Sequence, residues 1–400
     1  MTAPTRFALA RRALTALFSL ACLMLCHTTL ADERFIPRDM RACAAEHPEA
    51  GVDLPCKQPL SPEVLASELA KLRTRDFAWE IKDDTLAVSV RMLPGPALYP
   101  NGPFLCCEIQ GYLDRIADDV YSARFRWSRM QTALLDLQFL GADKRPDTRL
   151  RHRGSPQFVF ADNKIDTGLV ARDGAALETR TFAAQGEYGT RKVSVFRGAA
   201  CRRGIAGCIV IYTSDGHTTD QFVHNALANG IDMRGIVIAG VHNAELDTNG
   251  ARIEELLLDV NPARYDAFMR FVTQDLAGQI EGGARPRRRI VAGYSNGGAW
   301  AYDALVSQGG HFDGAIIMSP AQWRTRSEEA LDGRRAFVGA GHMERGFYKN
   351  ATAIAPALRA RGALVNEIYV PSGHGMNTWV NIWNAAIVEL ARQPARAVAP

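Results

Sequence analysis

A short apolar run, Arg289-Ile290-Val291-Ala292, leads straight into Gly293-Tyr294-Ser295-Asn296-Gly297-Gly298, and Ala299-Trp300-Ala301-Tyr302-Asp303-Ala304-Leu305 follows without a breaker. Strand, Gly-x-Ser-x-Gly turn and helix in that order constrain this chain more than any other stretch. The turn is tight, and glycines remove the side chains that would collide where strand and helix meet. The serine is left projecting above the strand ends, beside the free backbone N–H groups of a helix start. In a chain with 34 glycines the five-residue word alone is a weak signal. Its context strengthens it, together with an acid and a histidine that follow in the order such a site requires.

The surrounding pattern supplies the sheet. From about residue 187, strands alternate with helices: Lys192–Phe196, Cys208–Thr213, the run Arg234–Val241, a helix opened by Asn261-Pro262, then strands at Ala315–Met318, Ala336–Gly339 and Glu367–Val370. Helices are expected near 351–361 and from Asn377 onward. Alternation of this kind predicts a mostly parallel sheet covered by helices on both faces. The half ahead of it reads differently. After a helix started by Ser61-Pro62-Glu63, with Leu65, Leu69 and Leu72 on one face, the period drops to two. Leu86, Val88, Val90 and Met92, then Tyr121, Ala123, Phe125 and Trp127, then Leu135, Leu137 and Phe139 alternate with polar or small residues. That pattern predicts half-buried antiparallel strands in a small immunoglobulin-like β-sandwich, its aromatics in the core. Residues 141–186 read as its end plus a connector, with one short strand at Phe158-Val159-Phe160 and a basic, solvated cluster at Arg149, Arg151, His152 and Arg153.

The first 31 residues read as a signal peptide: basic Arg6, Arg11 and Arg12, an apolar Ala13–Cys26, and small residues at Thr29-Leu30-Ala31. A twin-arginine signal at Arg11-Arg12, or lipidation at Cys22 or Cys26, are weaker fits. The expected division is therefore 1–31 signal peptide, 32–186 sandwich with connector, and 187–400 catalytic domain. The leader carries three of the 47 basic residues and none of the 43 acidic ones, so the mature chain balances 44 against 43. Nothing in that balance points to nucleic acid or to an anionic membrane surface. A periplasmic or secreted protein with no stable membrane insertion is expected. The six remaining cysteines fit an oxidising compartment. Local bridges are expected between Cys43 and Cys56 across a Pro-rich loop, and between Cys201 and Cys208 across a hairpin loop. Cys106 and Cys107 would then form a vicinal bridge, or instead tie back to Cys43 and Cys56. No Cys-x-x-Cys or nearby histidine pair suggests a metal, and no organic cofactor is implied.

A serine hydroxyl needs a base, held in turn by an acid. His374, in Ser372-Gly373-His374-Gly375 just past the final strand, is the expected base; His311, after the elbow helix, is topologically misplaced. Glu344, after the strand at 336–339, is the expected acid, ahead of Asp332 and Glu367. The backbone N–H of Asn296 and one from Asp215-Gly216-His217, Gly216 in particular, are the expected oxyanion donors.

Further words join these: Ser214-Asp215-Gly216, Arg252-Ile253-Glu254-Glu255-Leu256, Ser319-Pro320-Ala321-Gln322-Trp323, Gly341-His342-Met343-Glu344, and Gly373-His374 with Trp379. In this order, over residues 190–392, they resemble the esterase family of α/β-hydrolases that includes esterase D, feruloyl esterases, mycolyltransferases and enterochelin esterases. A sandwich ahead of the hydrolase domain is most similar to the enterochelin esterase branch. The resemblance implies an α/β-hydrolase fold and cleavage of ester bonds in catecholate siderophores. Such a charged small-molecule ester would meet Arg252 or the 149–153 cluster, with His217 and Trp323 as further contacts. The leader and the cysteines set this chain apart from the best-known members of that branch, which are cytoplasmic. Two other outcomes fit the same words. One is an acyltransferase or a feruloyl- or acetyl-type carbohydrate esterase on the same three side chains. The other is a non-catalytic siderophore- or glycan-binding protein.

Overall fold

The computed structural model describes residues 43, 54–92, 103–109, 111–140, 158–160, 177–183, 190–244, 249–308, 310–327 and 329–392. The expected signal peptide and the basic cluster at 149–153 lie outside these residues, and the side chains of Cys106 and Cys107 are not among those described.

Two small antiparallel sheets come first. One is built from β1 (Cys56–Gln58), β2 (Phe77–Lys82), β3 (Thr85–Arg91), β6 (Asp114–Arg115) and β7 (Val120–Arg126), in the order β1-β7-β3-β2 with β6 on β7. The other runs β5-β4-β8-β9, from β4 (Phe104–Cys107), β5 (Gly111–Tyr112), β8 (Leu134–Leu140) and β9 (Phe158–Phe160). Leu86, Val88 and Phe125 of the first sheet and Leu105, Leu135 and Leu137 of the second share one apolar cluster. This is where period-two alternation sends its apolar side chains. Helix α1 (Pro62–Lys71) starts as its sequence predicts, with Ser61 Oγ accepting from the Val64 N–H and Pro62 in the first turn. The Cys43–Cys56 bridge is present.

Among the described residues the large sheet has eight strands in the order β10-β11-β13-β12-β14-β15-β16-β17. They are β10 (Leu177–Ala183), β11 (Thr190–Arg197), β12 (Ile209–Thr213), β13 (Ile236–Val241), β14 (Arg288–Tyr294), β15 (Gly314–Met318), β16 (Arg335–Gly341) and β17 (Leu364–Val370). From β13 to β17 every pairing is parallel; β10 and β11 add an antiparallel edge. The apolar runs alternate between two cores. Val210, Tyr212 and Val291 face one side with Phe268, Trp300 and Ile354, while Ile209, Ile211 and Ile290 face the other with Phe222, Trp383 and Ile387. The helices covering these faces include α2 (Thr219–Ala228), α3 (Asn249–Leu256), α4 (Pro262–Arg270), α5 (Ala277–Glu281), α6 (Asn296–Ser307), α7 (Arg345–Ala360) and α8 (Met376–Arg392). A π-helical stretch, Phe271–Leu276, links α4 to α5.

Two expectations need correction. The large sheet begins upstream of residue 187, because β10 pairs with β11 from Leu177↔Phe196 to Ala183↔Thr190. It reads as connector because it is an edge strand whose residues 178–181 are exposed, and only Leu177 and Phe182 near its ends pack on the cores, too few for a period to show. The second concerns Cys201 and Cys208. They do form a bridge, but the loop they close is no hairpin. β13 lies between β11 and β12, and the loop hydrogen-bonds instead to the start of β13 through Gly198 N–H to Ile236 O and Ala200 N–H to Arg234 O. Among the described residues, no helix is long and apolar enough to cross a membrane.

Candidate active site

The C-terminal ends of three neighbouring strands, β12, β14 and β15, each carry a non-glycine residue at positive φ: Asp215 at 54°, Ser295 at 57° and Ser319 at 45°. Such backbone costs on the order of 1–3 kcal/mol per residue and persists only where its surroundings enforce it. Strain gathered on one rim of a parallel sheet marks the rim where ligands bind in this architecture.

Ser295 sits between β14 and α6 with φ 57° and ψ −118°. Its N–H donates to Met318 O, and its carbonyl accepts from the Ala321 N–H, so both sides of the turn are anchored to the chain beyond β15. A Cβ on Gly293 would come 2.2 Å from Gly297 O, and one on Gly297 would come 2.0 Å from Ser214 Oγ. Only glycine allows strand, helix and the loop after β12 to meet so closely. Ser295 is 4% exposed.

The imidazole of His374 approaches from the loop after β17, with Nε2 3.2 Å from Ser295 Oγ. Its Nδ1 lies 2.5 Å from Glu344 Oε1. Glu344 is buried at the turn after β16, and its other oxygen accepts from Ser319 Oγ at 2.7 Å and from the Gly341 N–H. Ser319 Oγ in turn accepts from Trp379 Nε1 at 3.0 Å. The ring of Trp379 meets His374 edge-on at 5.1 Å, and Phe347 stacks on the imidazole at 4.0 Å. The imidazole is thus held by a carboxylate on one edge and by two aromatic rings against its faces and flank.

Asn296 opens α6, where first-turn N–H groups have no partner within the helix. Gly216 follows Asp215 on the loop that packs against Gly297. His217 is exposed, its ring 6.4 Å from that of His242. Trp323 is half exposed, two residues past Ala321. Among the described residues no cluster of three metal-ligating side chains forms. His311 stands apart from the site, flanked by Phe312, and burial pushes its imidazole down to about 4.

Arg252 corrects the sequence expectation. Its guanidinium is committed to Asp215 by a two-pronged ion pair, Nε to Oδ1 at 2.6 Å and Nη2 to Oδ2 at 2.9 Å. Burial pushes the Asp215 carboxyl up, but Arg252 and the Asn243 amide outweigh it and hold the group below its ordinary value. The pair braces the left-handed backbone at Asp215, and Nη2 also reaches Tyr294 O, one residue before Ser295. A basic residue at 252 looks like a substrate contact in sequence because its buried acidic partner is 37 residues away. Arg252→Ala should destabilise the protein by about 3–5 kcal/mol, since it strands a buried carboxylate. A denaturant melt of this variant beside the Asp215→Ala/Arg252→Ala double variant checks this, and the double variant should recover part of the loss.

Ser319 and Phe347 were not singled out as site residues in the sequence. The signals for Ser319 are the word Ser319-Pro320-Ala321-Gln322-Trp323 and its place at the end of β15, next along the rim from Ser295.

The fold is shared with solved structures. Enterochelin esterase from Shigella flexneri superposes with a TM-score of 0.57 at 15% identity, covering 81% of this chain and 97% of that one. The enterobactin esterase of the same organism, solved in the presence of enterobactin, gives 0.55 at 15%, covering 83% and 98%. Ferric enterobactin esterase from Salmonella typhimurium gives 0.55 at 15%, covering 80% and 98%. No protein-family model and no curated protein sequence matches the chain. The esterase likeness therefore rests on an α/β-hydrolase fold shared across nearly the full length of those proteins.

Proposed function

We propose that this chain is an exported serine esterase that cleaves carboxylic esters through an acyl-enzyme. The observation that carries the reading is the continuous hydrogen-bonded line from Ser295 Oγ through His374 to Glu344 on a strained turn. In this reading Ser295 Oγ attacks the ester carbonyl while His374 Nε2 takes its proton. The Asn296 N–H, with Gly216 as the second donor, holds the oxyanion. Collapse expels the alcohol, which leaves with the proton from His374. Water then repeats the sequence on the acyl-enzyme and releases the acid. Glu344 keeps Nδ1 protonated and Nε2 free to act as base.

The same reading takes the residues from 32 up to β10 as an immunoglobulin-like sandwich with connector, the residues from β10 onward as the catalytic unit, and residues 1–31 as a cleaved export signal. The bridges Cys43–Cys56 and Cys201–Cys208 favour a periplasmic or secreted location. Relatives crystallised with enterobactin, or titled as its esterases, suggest a catecholate trilactone as substrate. His217 and Trp323, exposed near the rim, are the candidate substrate contacts.

A panel of aryl, feruloyl and catecholate esters tests the assignment, read out as free acid released. Enterobactin should exceed a neutral aryl ester in kcat/KM by about tenfold or more, a difference that a few extra contacts can supply. A preference for feruloyl or acetyl sugars would replace the siderophore reading and keep the esterase one. No turnover of any ester would overturn both.

A further inference from the structure

Among the described residues β17 is the last strand of the large sheet, so the loop that carries His374 leaves an edge with no further described strand beside it. Loops in that position are ordinarily the least restrained part of such a fold. Here the smaller sheets fill the space. The Leu134 N–H, at the start of β8, donates to Pro371 O at 2.9 Å, and Ser372 Oγ returns a bond to Leu134 O at 2.7 Å. Ser372 O accepts from the Met343 N–H at 3.0 Å, which ties the acid's turn to the base's loop. Met343 packs on the apolar cluster of the smaller sheets, and Arg129 meets His342 at 2.6 Å.

The tightest contact is made by Glu108, just past β4. It is 4% exposed. A Cβ on Gly373 would come 2.3 Å from Glu108 Cα, and one on Gly375 would come 2.5 Å from Glu108 Oε1. Asn377 Nδ2, at the start of α8, lies 3.5 Å from the same oxygen. Glu108 therefore closes on the two glycines that flank His374, its backbone against Gly373, where no side chain would fit, and its carboxylate against Gly375, where a side chain would push it aside.

We propose that Glu108, supplied by the smaller sheets, is a positioning residue that holds the His374 loop so that Nε2 faces Ser295. This rests on the esterase reading given above. Glu108 does not touch the reacting atoms; it sets where the imidazole sits, and small misplacements of a base are expensive in rate.

The experiment uses the full chain. Glu108→Ala should lower kcat about 10- to 100-fold with KM within about twofold, while Glu108→Gln, which keeps volume and acceptor, should retain most activity. Glu108→Asp, which withdraws the carboxylate from Gly375 but keeps its charge, serves if the alanine variant does not fold, and should also lose kcat. Gly375→Ala should be impaired, and Glu108→Ala/Gly375→Ala should be better than Gly375→Ala alone, because the added methyl then has room. Proton NMR of the His374 Nδ1–H, shared with Glu344, gives a readout independent of turnover: sharp in the native chain and in Glu108→Gln, broadened in Glu108→Ala. Unchanged kcat and an unchanged resonance in Glu108→Ala would overturn the proposal, as would simple multiplication of the two single effects. Absence of any ester turnover by the native chain would instead sink the esterase reading, and the NMR comparison would still decide the role of Glu108.

Discussion

Ser295→Ala is expected to abolish ester hydrolysis while leaving the fold in place. The hydroxyl is the atom that forms the acyl bond in the proposed chemistry, so its loss removes the pathway rather than weakening it. In serine hydrolases a change of this kind costs about 10⁶-fold in kcat, and what remains comes from the oxyanion donors and binding. Structure should be little disturbed. Ser295 is anchored through its backbone, by the bonds to Met318 O and from the Ala321 N–H, and both survive the substitution. Alanine shares with serine the penalty for φ 57°, so the turn gains no new strain. The measurements are hydrolysis of p-nitrophenyl esters, mass spectrometry of the protein after a fluorophosphonate probe, and a thermal melt. Retained turnover, or labelling at another residue, would rule the mechanism out; a collapsed melt would mean that the hydroxyl is structural.

The second large effect belongs to Glu344→Gln. The substitution keeps the shape and removes a charge, but its consequence follows from hydrogen-bond bookkeeping. One carboxylate oxygen accepts from Ser319 Oγ and the Gly341 N–H, and the other accepts from His374 Nδ1. A glutamine has a single acceptor oxygen, and the Gly341 N–H, fixed in the backbone, claims it. The amide NH₂ is then turned toward His374 and obliges Nδ1 to accept. The ring proton moves to Nε2, where it points at Ser295 and cannot take a proton from it. The alternative rotamer sets NH₂ against the Gly341 N–H, donor against donor in a buried site, which is costly. A loss in kcat of about 10³- to 10⁴-fold is expected, the scale of an orienting carboxylate turned into an amide. KM should hold steady, because nothing that binds the ester has changed. A fall below about tenfold would show that another group orients the base, and Asp332 and Glu367 would then need the same test. Glu367 is already engaged with Arg359, on an edge strand.

Local pattern carried much of this. The apolar runs at 209–213, 236–241 and 290–294 are buried on both faces and announce central parallel strands, and the glycines around Ser295 announce the turn. Strand order is not local in origin: β13 sits between β11 and β12, and helices lie on both faces of the sheet. Glu344 and His374 could be nominated because each follows a late strand, β16 or β17, in the chain order that a serine, acid and histidine require. β10 could not be seen, since only Leu177 and Phe182 near its ends reach the cores and its middle residues 178–181 are exposed, so no period marks it. The hairpin expected between Cys201 and Cys208 failed for a related reason: seven residues of spacing reveal a bridge but not that β13 inserts between the strands it joins.

Residue chemistry alone thus determined which strands could be central, where the sharp turn would fall, and which hydroxyl, imidazole and carboxylate were available. Whether Arg252 would greet a substrate or be spent on Asp215, and whether the first half of the chain would touch the site at all, only the packed structure decided. Both depend on pairings between residues 37 to 269 positions apart, and a buried charge or a flanked glycine takes its meaning from the neighbour folded against it, not from the one beside it in the chain.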